Sequence, residues 1–135
     1  MVDTNKFVFS FLKKKDIKLL QNYIHKNWKI NHILSKSKKL LLWQHSKKNN
    51  KLNFFVCKKN QDIIAILGII NFYNENYKNK KIGLGVWTTD IRYKNLGGVL
   101  FLKFLQKNKN KKILATGLNK LSIKYYKFFN FKITN

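Results

Sequence analysis

At 135 residues the chain is long enough for one domain with a real core, and 44% hydrophobic with 15% aromatic residues excludes a disordered chain. The formal net charge of +24 points first to a nucleic acid or an anionic membrane. The make-up of that charge argues otherwise: of 29 basic residues only Arg92 is an arginine, whose planar fork reads guanine or phosphate, and the lysines are spread along the whole chain.

Abundant Asn and Ile, with no Pro at all, read as drift toward A- and T-rich codons rather than selection for a binding surface. Most of the charge is therefore expected to be solvated. The first residues, MVDTNK, show no basic-then-apolar signal pattern, and no apolar run approaches ~18 residues. A cytoplasmic protein without a membrane span is expected.

In chain order, 7–12 alternate weakly and predict a strand. Asp16 can cap a helix near 16–28, in which Ile17, Leu20, Ile24 and Trp28 recur at helical spacing. Ser35 opens a second short helix over 35–46. Residues 52–58 and 62–71 predict a hairpin turning at Asn60-Gln61; its second strand is apolar on both faces and belongs in the middle of a sheet. Cys57, the single cysteine, excludes an intrachain disulfide and a Cys-rich zinc site, and its apolar surroundings predict a buried, inert thiol.

After a polar loop over 72–80, a fourth strand is predicted over 81–88, with Gly83 and Gly85 marking a bulge or a close backbone approach. A helix over 96–106, a strand over 112–116, a helix over 119–129 and a last strand over 130–134 complete the order β-α-α-β-β-β-α-β-α-β. No repeat or linker divides the chain, so residues 1–135 read as a single domain.

Two motifs carry the chemistry. Arg92-Tyr93-Lys94-Asn95-Leu96-Gly97-Gly98 joins the fourth strand to the next helix. Such a junction gathers free backbone N–H groups and the positive end of a helix dipole, a ready phosphate site. The second is Asn119-(x2)-Ser122-(x3)-Tyr126-(x3)-Asn130-Phe131. Together they resemble the acetyl-CoA-binding loop and following helix of the GNAT acetyltransferase superfamily. In that pattern Arg92 takes the first loop position and Gly97 the last. Asn95 stands where the first glycine is expected, and Asn130 where a second is. Asn is the non-glycine residue that best tolerates positive φ. A second register, with Lys94 in the Arg position, is also open.

The resemblance implies an α/β (α+β) fold, a mixed and mostly antiparallel sheet flanked by helices with a short C-terminus. It also implies acyl transfer from acetyl-CoA or another acyl-CoA, as co-substrate and without a metal, to the amine of a small molecule. Val86, Trp87, Arg92, Lys94, Asn95, Leu96, Gly97, Gly98 and Asn119 would contact the cofactor, and the amides of Gly85, Val86 and Trp87 would line its pantetheine. Tyr126 would give its proton to the leaving thiolate, with Tyr125 the alternative. The segments 32–34 and 42–44 resemble GNAT-like proteins encoded with bacterial surface-sugar biosynthesis, which places His32 and Trp43 at the acceptor and suggests an amino sugar. His45, Glu75 and Asp90 are further candidates for the base. The resemblance admits a homodimer and does not favour nucleic acid. The rival readings are a basic module for single-stranded nucleic acid, built on lysines and exposed aromatics, and a GNAT scaffold without activity.

Overall fold

A computed structural model describes residues 6–71 and 81–134. Its centre is a six-stranded sheet in the order β1-β3-β4-β5-β6, with the short β2 beside β3. The strands are β1 (Phe7–Lys13), β2 (Ser46–Lys47), β3 (Lys51–Lys59), β4 (Asp62–Asn71), β5 (Lys81–Thr89) and β6 (Lys112–Ala115). All pairings are antiparallel except β5 with β6. The predicted fourth strand is thus β5, since Ser46–Lys47 adds a strand that the sequence pattern did not signal.

The helices are α1 (Ile17–Asn27), α2 (Ile33–Lys36), α3 (Lys38–His45), α4 (Leu96–Lys107) and α5 (Lys120–Phe128). Strand alternation builds a core on each face of the sheet. Leu52, Phe54 and Val56 of β3 meet Leu20, Ile24 and Leu41 of α1 and α3. Phe55 and Cys57 face the other way, toward Leu100, Phe101 and Phe104 of α4 and Tyr126 of α5. The predicted central strand β4 does lie in the middle, buried over most of its length. Asn60 and Gln61 both take positive φ, as a two-residue hairpin turn requires. Burial pushes the Cys57 thiol up to about 11, which keeps it unreactive.

Four local expectations are corrected. Asp16 does not cap α1 with its side chain; its carboxylate accepts from Lys58 Nζ at 3.2 Å instead. The predicted helix over 35–46 divides at Ser37. That residue has extended backbone, and its hydroxyl caps α3 by accepting from Leu40 N–H at 3.1 Å, while the Ser35 hydroxyl donates to the His32 carbonyl. Asn95 has φ of −73°, so the loop before α4 turns without the left-handed residue expected there. Residues 131–134 form no strand. Asn130 does take positive φ, 63°, and ends α5.

A cleft between diverging strands

β5 and β6 run side by side from Lys81↔Lys112 to Leu84↔Ala115, where β6 ends. β5 continues for five more residues, held only by β4. Main-chain groups of Gly85, Val86 and Trp87 that point toward β6 therefore have no strand beside them. A bulge falls at the same place. Leu67 pairs with Trp87 but Ile69 with Leu84, so Gly85 and Val86 together face the single residue Gly68. One extra residue flips every later side chain. Leu84 packs among α4 and α5, Val86 among α1 and α3, and Trp87 returns to the α4–α5 side.

The space opened by this divergence is a cleft of about 570 Å³, within the range of small-molecule sites. One wall is Leu84 to Trp87. The opposite wall is Ala115 to Asn119 with Ser122 and Tyr126, and the third side comes from Trp28, His32, Ile33, Leu34, Leu40, Gln44 and His45. Of the sequence-predicted residues, Val86, Trp87, Asn119, Tyr126 and His32 meet here.

Tyr126 is 3% exposed, yet its hydroxyl is not sealed off and forms no hydrogen bond with a described residue. Its ring is fixed edge-on against Phe101 and Phe131, 5.3 and 5.1 Å between centroids, and against Trp87. Burial pushes its hydroxyl up to about 12, so it keeps its proton at neutral pH. Tyr125 lies on the outer side, 38% exposed, packed over Gly98 and edge-on to Trp87. Of the two tyrosines only Tyr126 reaches the cleft. Asn119 caps α5: its Oδ1 accepts from Ser122 N–H at 2.8 Å, and the Ser122 hydroxyl answers with a bond from Asn119 N–H at 3.1 Å. Only its amide NH2 is left to point elsewhere.

His32 caps α2. Its Nδ1 accepts from Leu34 N–H at 3.2 Å, so in the neutral ring the proton sits on Nε2. Burial and then the charge of Lys29 lower its pKa, which favours that neutral form. Its ring lies 4.2 Å from that of Trp28. His45 is buried and also kept neutral by burial; its Nδ1 donates to the Ile69 carbonyl at 3.0 Å. Trp43 is 77% exposed and does not line the cleft. Glu75 lies outside the described residues.

The loop before α4 stands apart from the cleft lining. Arg92, Lys94, Asn95, Leu96, Gly97 and Gly98 are all absent from its walls. Arg92 turns its fork back onto Asp90: Nη2 donates to Oδ2 at 2.6 Å and Nε to Oδ1 at 3.1 Å. These bonds hold the Asp90 carboxyl below its ordinary range, and Asp90 also accepts from Arg92 N–H and lies outside the cleft. Both features make it a poor base there. Trp87 links the two regions, since its ring lines the cleft and its Nε1–H donates to the Gly97 carbonyl at 3.2 Å. A Cβ on Gly97 would collide with Thr89 Oγ1, which is why that position holds glycine. The sequence reading missed Trp28, taken as a core position of α1, and the turn Thr116-Gly117. The signal for that turn was the glycine itself, which takes φ of 65°.

Lysines do gather over aromatics on the β1–β3 flank: Lys47 over Phe11 at 3.4 Å, Lys103 over Phe9 and Lys107 over Phe55. Phe55 is buried in the core and Phe9 and Phe11 pack against it, with a lysine ammonium over each ring. They offer no open faces on which bases could stack. Among the described residues no group of three His, Cys, Asp or Glu side chains could hold a metal ion, and no helix is long and apolar enough to cross a membrane.

The sequence matches no family model and no curated protein. Solved structures do match. Naa50 of Arabidopsis thaliana, in complex with the bisubstrate analogue CoA-Ac-MVNAL, superimposes with a TM-score of 0.69 at 14% identity, covering 96% of this chain and 85% of that one. An aminoglycoside acetyltransferase from an uncultured soil metagenomic sample gives 0.63 at 13% identity, over 100% and 96%. A candidate acetyltransferase from Pyrococcus horikoshii gives 0.70 at 14% identity; there the chain covers only 44% of its neighbour's length. The chain has the GNAT acetyltransferase fold, as the resemblance of its two motifs implied.

Proposed function

We propose that the chain is a cytoplasmic acyl-CoA-dependent N-acyltransferase that moves an acetyl group directly onto the amine of a small molecule, with an amino sugar as the leading acceptor. The observation that carries this reading is the cleft at the point where β6 stops and bulged β5 runs on, with a protonated tyrosine on its far wall.

The chain's residues suit the thioester end of the cofactor. Those backbone amides of Gly85, Val86 and Trp87 that face away from β4 would hydrogen-bond an extended amide arm and hold the oxyanion formed on attack. The acceptor nitrogen bonds to the thioester carbon, and collapse breaks the C–S bond. Tyr126 gives its proton to the departing thiolate, and the surplus proton on nitrogen leaves through water and restores the phenol. One amide and one thiol result. No covalent enzyme intermediate is needed. The diphosphate end falls to the amino end of α4 with Lys94 and Arg92, which must exchange Asp90 for phosphate. The matched acetyltransferases, one in complex with a CoA conjugate, support the choice of co-substrate.

The test is release of free thiol from acetyl-CoA in the presence of amines. Acceptor-dependent release that is lost in Tyr126→Phe supports the proposal. Release at the rate of water hydrolysis with every amine, alongside tight binding of single-stranded oligonucleotide, would replace it with the nucleic-acid reading.

A further inference from the structure

The cleft's third wall has a chemistry of its own. It is built from Trp28, His32, Ile33 and Gln44 with the buried His45 beneath. Trp28 is 43% and Ile33 54% exposed, so an aromatic and aliphatic rim faces solvent at the mouth. The polar groups beside it can donate: His32 Nε2–H, the NH2 of Gln44 and the spare NH2 of Asn119. No carboxylate stands among the described lining residues. The chain has only five acidic residues. Asp16 is paired with Lys58 and Asp90 with Arg92; Asp62 sits in the β3–β4 hairpin opposite Lys59; Asp3 and Glu75 lie outside the described residues. Lys29, whose carbonyl accepts from His32 N–H at 3.2 Å, adds a positive residue next to this wall.

A polycation entering here would meet a positive field and no counter-charge. An aminoglycoside, the substrate class named for the soil metagenomic acetyltransferase, is such a polycation. Resting on the acyltransferase reading above, we infer that the acceptor is an amine that carries both a ring and a phosphate or carboxylate, with its ring seated against Trp28 and its anion facing the Lys29 side of His32. The ring fits because Trp28 leaves a half-exposed indole at the mouth, with the His32 ring tilted beside it at 4.2 Å. The anion fits because donors without carboxylates favour an acceptor group that is itself charged.

The experiment compares matched amines with the full chain and acetyl-CoA. The pairs are glucosamine 6-phosphate against glucosamine, and phenylalanine against phenylalaninamide, with kanamycin as the polycation. Acetyl-CoA binding is measured separately by calorimetry. The anionic member of at least one pair is expected to show a kcat/KM tenfold or more above its neutral partner, with kanamycin slowest. Lys29→Gln should shrink that ratio, and Trp28→Ala should raise KM for both members while leaving acetyl-CoA affinity unchanged. Equal rates within both pairs, faster turnover of kanamycin, or no turnover of any anionic amine while acetyl-CoA binds would overturn this inference alone. Absence of acetyl-CoA binding would remove the acyltransferase reading and this one with it.

Discussion

The two ends of the proposed cofactor site are built in different ways. The cleft end is made by topology: β6 stops at Ala115, β5 runs on to Thr89, and a gap remains whatever side chains stand nearby. The loop end adds side chains to the amino end of α4, and its arginine is already engaged. Arg92 grips Asp90, Trp87 holds the Gly97 carbonyl, and Thr89 packs against Gly97. A site left open by missing main-chain partners is ready for a ligand that supplies them. A site made of satisfied ion pairs must give up those bonds to gain new ones, so its net contribution to binding is smaller.

The contrast is broken most sharply at Tyr126. In Tyr126→Phe, kcat should fall about 10²-fold, the low end for a lost proton donor, with acetyl-CoA affinity unchanged and Tyr125→Phe nearly silent. Steady-state kinetics of both variants decide this; loss of turnover in Tyr125→Phe instead would move the donor to the outer face. Next comes the loop. Gly97→Val places atoms where Thr89 Oγ1 sits and should cost ~1–3 kcal/mol in urea unfolding, as overpacking does. An unchanged unfolding midpoint would mean the loop is looser than its contacts imply.

A smaller effect is expected at Arg92, whose side chain is 73% exposed and already paired. Arg92→Ala should weaken acetyl-CoA about tenfold, the scale of one charge-assisted phosphate contact, without loss of kcat at saturation. The smallest effect is on stability against acid. Asp90 is held below its ordinary pKa, so its contribution is complete above the unfolded carboxylate value of ~3.9 and is lost as pH falls through its lower folded value. Asp90→Asn should flatten that part of the acid-unfolding curve and leave stability near neutral pH dependent on other groups. The rate, by contrast, should show no loss between pH 8 and 10 from deprotonation of Tyr126, whose hydroxyl burial pushes up to about 12.

Much of this was legible in the sequence because it rested on periodicity. The apolar run of 62–71 had to be central, Gly85 had to relieve a strand, and Asn119 with Ser122 and Asn130 bracketed a helix with the spacing of a known motif. What was not legible depended on who pairs with whom across the chain. Asp16 reads as a cap until Lys58, 42 residues away, takes its carboxylate. Ser35 and Ser37 are equivalent as caps on paper; the extended backbone at Ser37 decides between them. Residues 130–134 have a strand's composition but no partner strand among the described residues. Trp43 and Trp28 look alike in sequence, yet Trp43 on α3 faces solvent while Trp28, at the end of α1, lines the cleft.

The measurement closest to the central claim is calorimetric titration of the chain with acetyl-CoA at moderate salt, run beside tripolyphosphate and pantetheine. A thioester arm gripped by the amides of Gly85 to Trp87 predicts saturable one-to-one binding of acetyl-CoA, clearly tighter than tripolyphosphate, with pantetheine competing for the same site. Equal affinity for tripolyphosphate, with no competition from pantetheine, would mean that charge alone draws the ligand and that the gap between β5 and β6 holds nothing.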